Sequence, residues 1–185
     1  MDAFFTSLLV VAIAEMGDKT QLLAMALAAR YRRPLTIGAG MITAILLNHT
    51  LAGGAGTWLA QEIPTENLRW LLALSFFGMA VWVMIPDQQG PLDNQKQRPV
   101  FVASLIAFFL AEMGDKTQIA TVALAARFDQ PYLVIAGTTL GLIVADGPVL
   151  WLSAKIRPNA GWLRAVHILA AALFIALGIG ALSLE

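Results

Sequence analysis

The sequence contains no cysteine, which excludes disulfide scaffolds, thiolate zinc sites and iron–sulfur clusters. Histidine is nearly as scarce: His49 and His167 are the only two, which argues against a soft or zinc-type metal site. Charge is the third deficiency. Asp, Glu, Lys and Arg make up 13% of the 185 residues, about half the roughly 25% usual in a soluble domain. The 12 basic residues balance the 12 acidic ones, whereas a nucleic-acid binder needs a basic excess and an acidic disordered tail the reverse. Apolar residues fill the gap at 58% of the chain, and they come in blocks.

Six blocks have the length of a membrane-spanning helix, about 17–25 residues. They run over Ala3–Ala29, Leu35–Ala60, Leu68–Ile85, Val100–Ala126, Tyr132–Ala154 and Trp162–Leu184. Turn chemistry separates them: Arg33-Pro34, Ile63-Pro64, the polar stretch Pro86–Pro99, Gln130-Pro131 and Arg157-Pro158. The flank Met1-Asp2 is acidic and the first run is long, unlike a cleavable signal peptide. The expected fold is therefore an all-α polytopic membrane protein whose partner is the lipid bilayer. A homo-oligomer is compatible with such a chain.

Orientation follows from basic residues near the span ends. Arg30, Arg32, Arg33, Lys96, Arg98, Lys155, Arg157 and Arg164 fall on one side, and Arg69 and Arg127 on the other. This asymmetry places the odd-numbered loops in the cytoplasm and both termini outside it. Trp58, Trp70, Trp151 and Trp162 stand near span ends, as interfacial anchors do.

The chain also repeats itself. Ala14–Gln21 and Ala111–Gln118 are the same octapeptide, Ala-Glu-Met-Gly-Asp-Lys-Thr-Gln, at an offset of 97 residues. At that offset Leu27–Arg30 matches Leu124–Arg127, Pro34 matches Pro131 and Gly40 matches Gly137. Each half holds three spans, an odd number, so the second half enters the membrane from the opposite face. The expected organisation is repeat 1 over 1–86, a cytoplasmic linker over 87–99 and an inverted repeat 2 over 100–185. Secondary transporters are built this way, with the site at the repeat interface near the midplane.

The octapeptide puts Glu, Asp and Lys in the middle of the first and fourth spans. Each such residue costs roughly 2.5–3.5 kcal/mol at that depth. Six left in lipid would cost on the order of 15–20 kcal/mol, more than a typical net folding stability. They must face the interior and pair. Glu15 and Asp18 are i,i+3 on one helical face that Gln21 continues, and Glu15 and Lys19 stand i,i+4, the favourable order for an ion pair. Gly17 and Gly114 permit close packing or a local helix break. Two inverted copies bring Glu15, Asp18, Glu112 and Asp115 together. Four close carboxylates cannot all stay ionised without cations. Lys19 and Lys116 supply two positive charges, and a divalent ion supplies the other two. Oxygen donors with Gln21, Gln118, Thr20 and Thr117 beside them suit hard ions such as calcium, magnesium or manganese. Once the metal leaves, the same carboxylates can take protons, a simple exchange mechanism. An intramembrane aspartyl protease would need Gly-x-Gly-Asp where Glu-Met-Gly-Asp stands, so no enzyme is expected and no catalytic cofactor.

Elsewhere, Asn48-His49 aligns with Ala145-Asp146. Asp146 is a lone intramembrane carboxylate, a candidate for proton relay or ion path. Asn48, Lys19, Lys116, Thr20 and Thr117 are grouped with it as pathway candidates, and His49 is read as a hydrogen-bonded structural residue. Gly40 and Gly137, at Gly-x-x-x-small spacing, are read as helix contacts.

Two Glu-x-Gly-Asp-Lys-Thr motifs, Glu15–Thr20 and Glu112–Thr117, in a duplicated six-span chain resemble the UPF0016 family of cation/proton transporters. The resemblance covers essentially the whole chain. It implies cation/proton exchange, with manganese export in bacterial members and manganese and calcium transport in Golgi and chloroplast relatives. The short chain, without a targeting extension or a long acidic central loop, is more similar to the bacterial kind. That implies Mn2+ efflux across a bacterial inner membrane, with Mn2+ or Ca2+ as substrate and Glu15, Asp18, Glu112 and Asp115 as metal-site residues. A calcium/proton antiporter and, further off, a divalent cation channel stay open.

Overall fold

A computed structural model describes residues 1–82, 84–85, 99–152 and 160–182, and the side chains of 160–163, 166 and 167 fall outside that description. Nearly all of the proposed linker, the basic residues Lys96, Arg98, Lys155 and Arg157, and the side chain of Trp162 therefore lie outside the described residues.

All described elements are helical: α1 (Asp2–Glu15), α2 (Lys19–Tyr31), α3 (Pro34–Glu62), α4 (Thr65–Trp82), α5 (Val100–Glu112), α6 (Lys116–Phe128), α7 (Pro131–Leu152) and α8 (Ala160–Leu182). Six continuous spans become eight helices because the first and fourth are each interrupted. The second, third, fifth and sixth expected spans correspond to α3, α4, α7 and α8. Pro34 sits in the first turn of α3, where its missing N–H is not needed. α3 has 29 residues, about 43 Å at 1.5 Å per residue, enough to cross a hydrocarbon core of roughly 30 Å at a tilt. α3 and α7 are each long and apolar enough to cross a membrane.

Many large apolar residues face outward, while the charged residues of the two octapeptides are mostly buried. Leu46, Leu47, Leu51, Leu74, Val81, Leu110, Val144 and Ile179 are exposed, whereas Glu15, Asp18, Asn48, His49, Glu112, Asp115, Lys116 and Asp146 are buried. A soluble protein does the reverse, and this distribution belongs to a helical membrane protein. Trp58, Trp70 and Trp151 are exposed close to helix ends.

Elements from the two halves interlock. α1 lies along α7, α5 along α3, and α3 also touches α6 and α7. Glycine sets the closeness. A Cβ on Gly40 would lie 2.7 Å from the Phe101 carbonyl oxygen and 2.9 Å from Ser104 Cβ, and one on Gly137 would strike the Phe4 carbonyl and Ser7 Cβ. Neighbouring helices thus approach closely at both glycines. One apolar cluster joins α1, α4, α6 and α8 around Phe76 and Phe174, and a second joins α2, α3, α5 and α7 around Ile37, Met41 and Phe108. The polar residues of the octapeptides lie at the broken ends of α1, α2, α5 and α6.

Candidate metal centre

The break has one geometry, used twice. Met16 takes φ −63° and ψ 119°, Gly17 takes φ 84°, and the Asp18 N–H donates to the Glu15 carbonyl at 3.1 Å. Met113 (−64°, 118°), Gly114 (74°) and the Asp115 N–H to the Glu112 carbonyl, again 3.1 Å, repeat it. This is a type II turn, whose third position needs a left-handed residue and so takes glycine. Asp18 and Asp115 then occupy the N-cap positions of α2 and α6. The sequence signal is Gly-Asp inside an apolar run, a turn residue followed by a helix-capping residue.

The turn overturns two expectations that assumed a continuous helix. Glu15, Asp18 and Gln21 do not share one helical face, and Glu15 does not pair with Lys19. Instead Lys19 holds Asp115 at 3.0 Å and Lys116 pairs with Asp18, each across the two halves. The positive φ at glycine redirects the chain, so residues four apart across the break are no longer neighbours. Residues five apart are: the Thr20 hydroxyl donates to Glu15, and the Thr117 hydroxyl donates to Glu112 Oε2 at 3.1 Å.

Gln21 and Gln118 brace the turns. The Gln21 carbonyl accepts the Gly17 N–H at 3.0 Å, and that of Gln118 accepts the Gly114 N–H at 2.6 Å. Their amide nitrogens reach across to α7 and α3: Gln21 to the Ala145 carbonyl at 3.1 Å, Gln118 to Asn48 Oδ1 at 3.4 Å. Asn48 in turn donates to the Phe109 carbonyl at 3.1 Å. Both glutamine oxygens, expected beside a metal, are thus engaged by the backbone.

What converges is Glu15, Glu112 and Asp115. One carboxylate oxygen from each lies within 4.8 Å of the other two, and all three residues are buried. Asp18 stands apart from this triangle with Lys116. Asp146 lies near enough to Glu15 and Glu112 to feel their charge, beside Thr20. Five carboxylates therefore share the region with two ammonium groups. Three convergent, buried carboxylate oxygens suit a hard divalent cation.

His49, the 97-residue counterpart of Asp146, binds Thr138 Oγ1 through Nδ1 at 2.7 Å. The Thr138 hydroxyl also reaches the Ile135 carbonyl at 3.2 Å. Sequence reading passes over Ser7 and Ser104, whose buried hydroxyls mark the seams with Gly137 and Gly40. Their shared offset of 97 was the available signal.

The chain matches the family model described as "Divalent cation/proton antiporter GDT1" over residues 3–91 and 100–184. A Vibrio cholerae protein named "Putative manganese exporter" is 44% identical over 176 residues, covering 95% of this chain and 88% of its own length. A GDT1-like protein of Synechocystis is 32% identical over 165 residues, 76% of this chain and 78% of its own. The rice (Oryza sativa subsp. indica) GDT1-like protein 4 is 27% identical over 167 residues, and the match covers 59% of its length. No solved structure matches the chain.

Proposed function

From the premise that the chain belongs to the GDT1 family of divalent cation/proton antiporters, we propose that it exports Mn2+ from the cytoplasm in exchange for protons, using Glu15, Glu112 and Asp115 as the central ligands. The observation that carries this is the buried oxygen triangle drawn from both halves. Oxygen donors accept Mn2+ and Ca2+ alike, and the choice of Mn2+ leans on the name of the Vibrio relative. The substrate is cargo, and no catalytic cofactor enters the scheme.

Charge supports the coupling. Five carboxylates against two lysines leave three negative charges, so one divalent ion alone does not neutralise the site. At least one carboxyl keeps a proton while the metal is bound. Asp146, beside Thr20 and near both glutamates, is the assigned carrier. Metal release frees the remaining carboxylates for protons, so the two cargoes compete.

In this reading residues 1–86 and 100–185 are inverted repeats joined through a cytoplasmic segment over 87–99, and access alternates as one rocks against the other. Broken helices with their ends at the site favour such a scheme. The basic residues of the odd-numbered loops support a bacterial inner-membrane protein with both termini outside the cytoplasm.

Purified protein in proteoliposomes tests the proposal. Mn2+ uptake should be driven by, and collapse, an imposed pH gradient. Glu15→Gln and Glu112→Gln should each lower it about 100-fold or more, at or beyond the upper range for losing a residue that merely supports a ligand. Calcium flux without competition from Mn2+ would favour a calcium/proton antiporter. Flux indifferent to the gradient would point to a channel, and full activity in either variant would remove the site.

A further inference from the structure

The two crossing ion pairs are alike in chemistry and unequal in surroundings. Lys116 and Asp18 are both sealed, with side-chain exposures of 2% and 0%. Lys19 shows 27% of its side chain while its partner Asp115 shows 1%. The partners also differ in role. Asp115 belongs to the oxygen triangle and Asp18 does not. A carboxylate that holds an ammonium at 3.0 Å and also takes a divalent cation, on either oxygen, brings two like charges into repulsive range.

We propose that Lys19 is the exchangeable counter-cation of this site: the arriving divalent ion takes Asp115 from it and the Lys19 ammonium swings into water, whereas Lys116 stays on Asp18 and ties the halves together. The inference rests on the reading of Glu15, Glu112 and Asp115 as ligands. Lysine suits the part. Its ammonium is compact, strongly hydrated and carried on a flexible stem, and at position 19 that side chain is already partly exposed. Lys116 has no such route, and withdrawing it would strand a buried carboxylate. The exchange also softens the electrostatic step, since two positive charges enter the buried site as one leaves.

The lysines of the chain are Lys19, Lys96, Lys116 and Lys155, so acetylation of the full-length protein in detergent can be read at each by mass spectrometry. Calorimetry with MnCl2 measures binding independently. Saturating MnCl2 should speed acetylation at Lys19 about fivefold or more and leave Lys116 unreactive. Lys19→Met should bind Mn2+ about fivefold tighter, the upper end for a partly exposed ion pair. If Mn2+ binds by calorimetry yet Lys19 acetylation is unchanged or slowed, or Lys116 responds equally, the inference falls while the ligand site stands. A wild-type chain showing no Mn2+ binding would remove the site and the inference together. The acetylation measurement needs no variant, so a misfolded Lys19→Met protein would not spare the proposal.

Discussion

Gly40 meets Phe101, Ser104 and Leu105 of α5, and Gly137 meets Phe4, Ser7 and Leu8 of α1. The two turns agree as closely, each with glycine at positive φ and glutamine on its N–H. Away from these backbone contacts the halves diverge. His49 stands where the other half has Asp146. Arg30 is exposed, whereas Arg127 donates to the Leu177 carbonyl at 2.8 Å and fastens α6 to α8. Lys19 is partly exposed and Lys116 is sealed. Close backbone contact tolerates little change, so the scaffold keeps its twofold likeness. Side chains facing the carboxylates or the outer helices are free to differ.

Equivalent substitutions in the two halves can break or sharpen this contrast. Lys116→Met should destabilise the protein by about 3–5 kcal/mol, as expected when one member of a buried pair is removed. Lys19→Met should cost at most ~1 kcal/mol. Denaturant unfolding in detergent measures both, and equal losses would erase the asymmetry. Arg127→Ala should cost about 1.5–3 kcal/mol for its charged hydrogen bond. Arg30→Ala should cost under ~1 kcal/mol, the scale of its exposed contact with the Tyr31 ring. Thermal unfolding of the pair decides whether α8 is held as described. Gly17→Ala and Gly114→Ala should each cost about 1–2 kcal/mol, the strain of a left-handed conformation. At Gly114 no atom lies within 4 Å of an added Cβ, so that cost is backbone alone. A silent Gly114→Ala would mean that the turn is not obligatory there.

Much of the architecture is legible in the apolar runs. Pro34 and Pro131 open α3 and α7 next to the expected boundaries, because proline suits a first helical turn. The breaks in the first and fourth spans are not legible from hydropathy, since a two-residue turn barely interrupts an apolar run of 27 residues. The Gly-Asp pair was the readable clue. Local pairing failed for the same reason: the i,i+4 relation of Glu15 and Lys19 holds only in an unbroken helix. Duplication, by contrast, made the convergence of Glu15, Glu112 and Asp115 readable, because equivalent segments of an interlocked repeat meet at its centre. It did not distinguish Asp115 from Asp18. That distinction arises from packing, which gives the two lysines different exposure. Asp146 was legible as a lone acid in an apolar span, whereas its neighbour Thr20 becomes one only through the turn.

The crossing pairs also bear on how the chain is made. Synthesis delivers Asp18 and Lys19 to the membrane about 97 residues before Lys116 and Asp115 exist. During that interval Asp18 and Lys19 are without their final mates, and an unpaired charge is costly wherever water is excluded. The two ion pairs that tie the halves together therefore close only after the second octapeptide has been made.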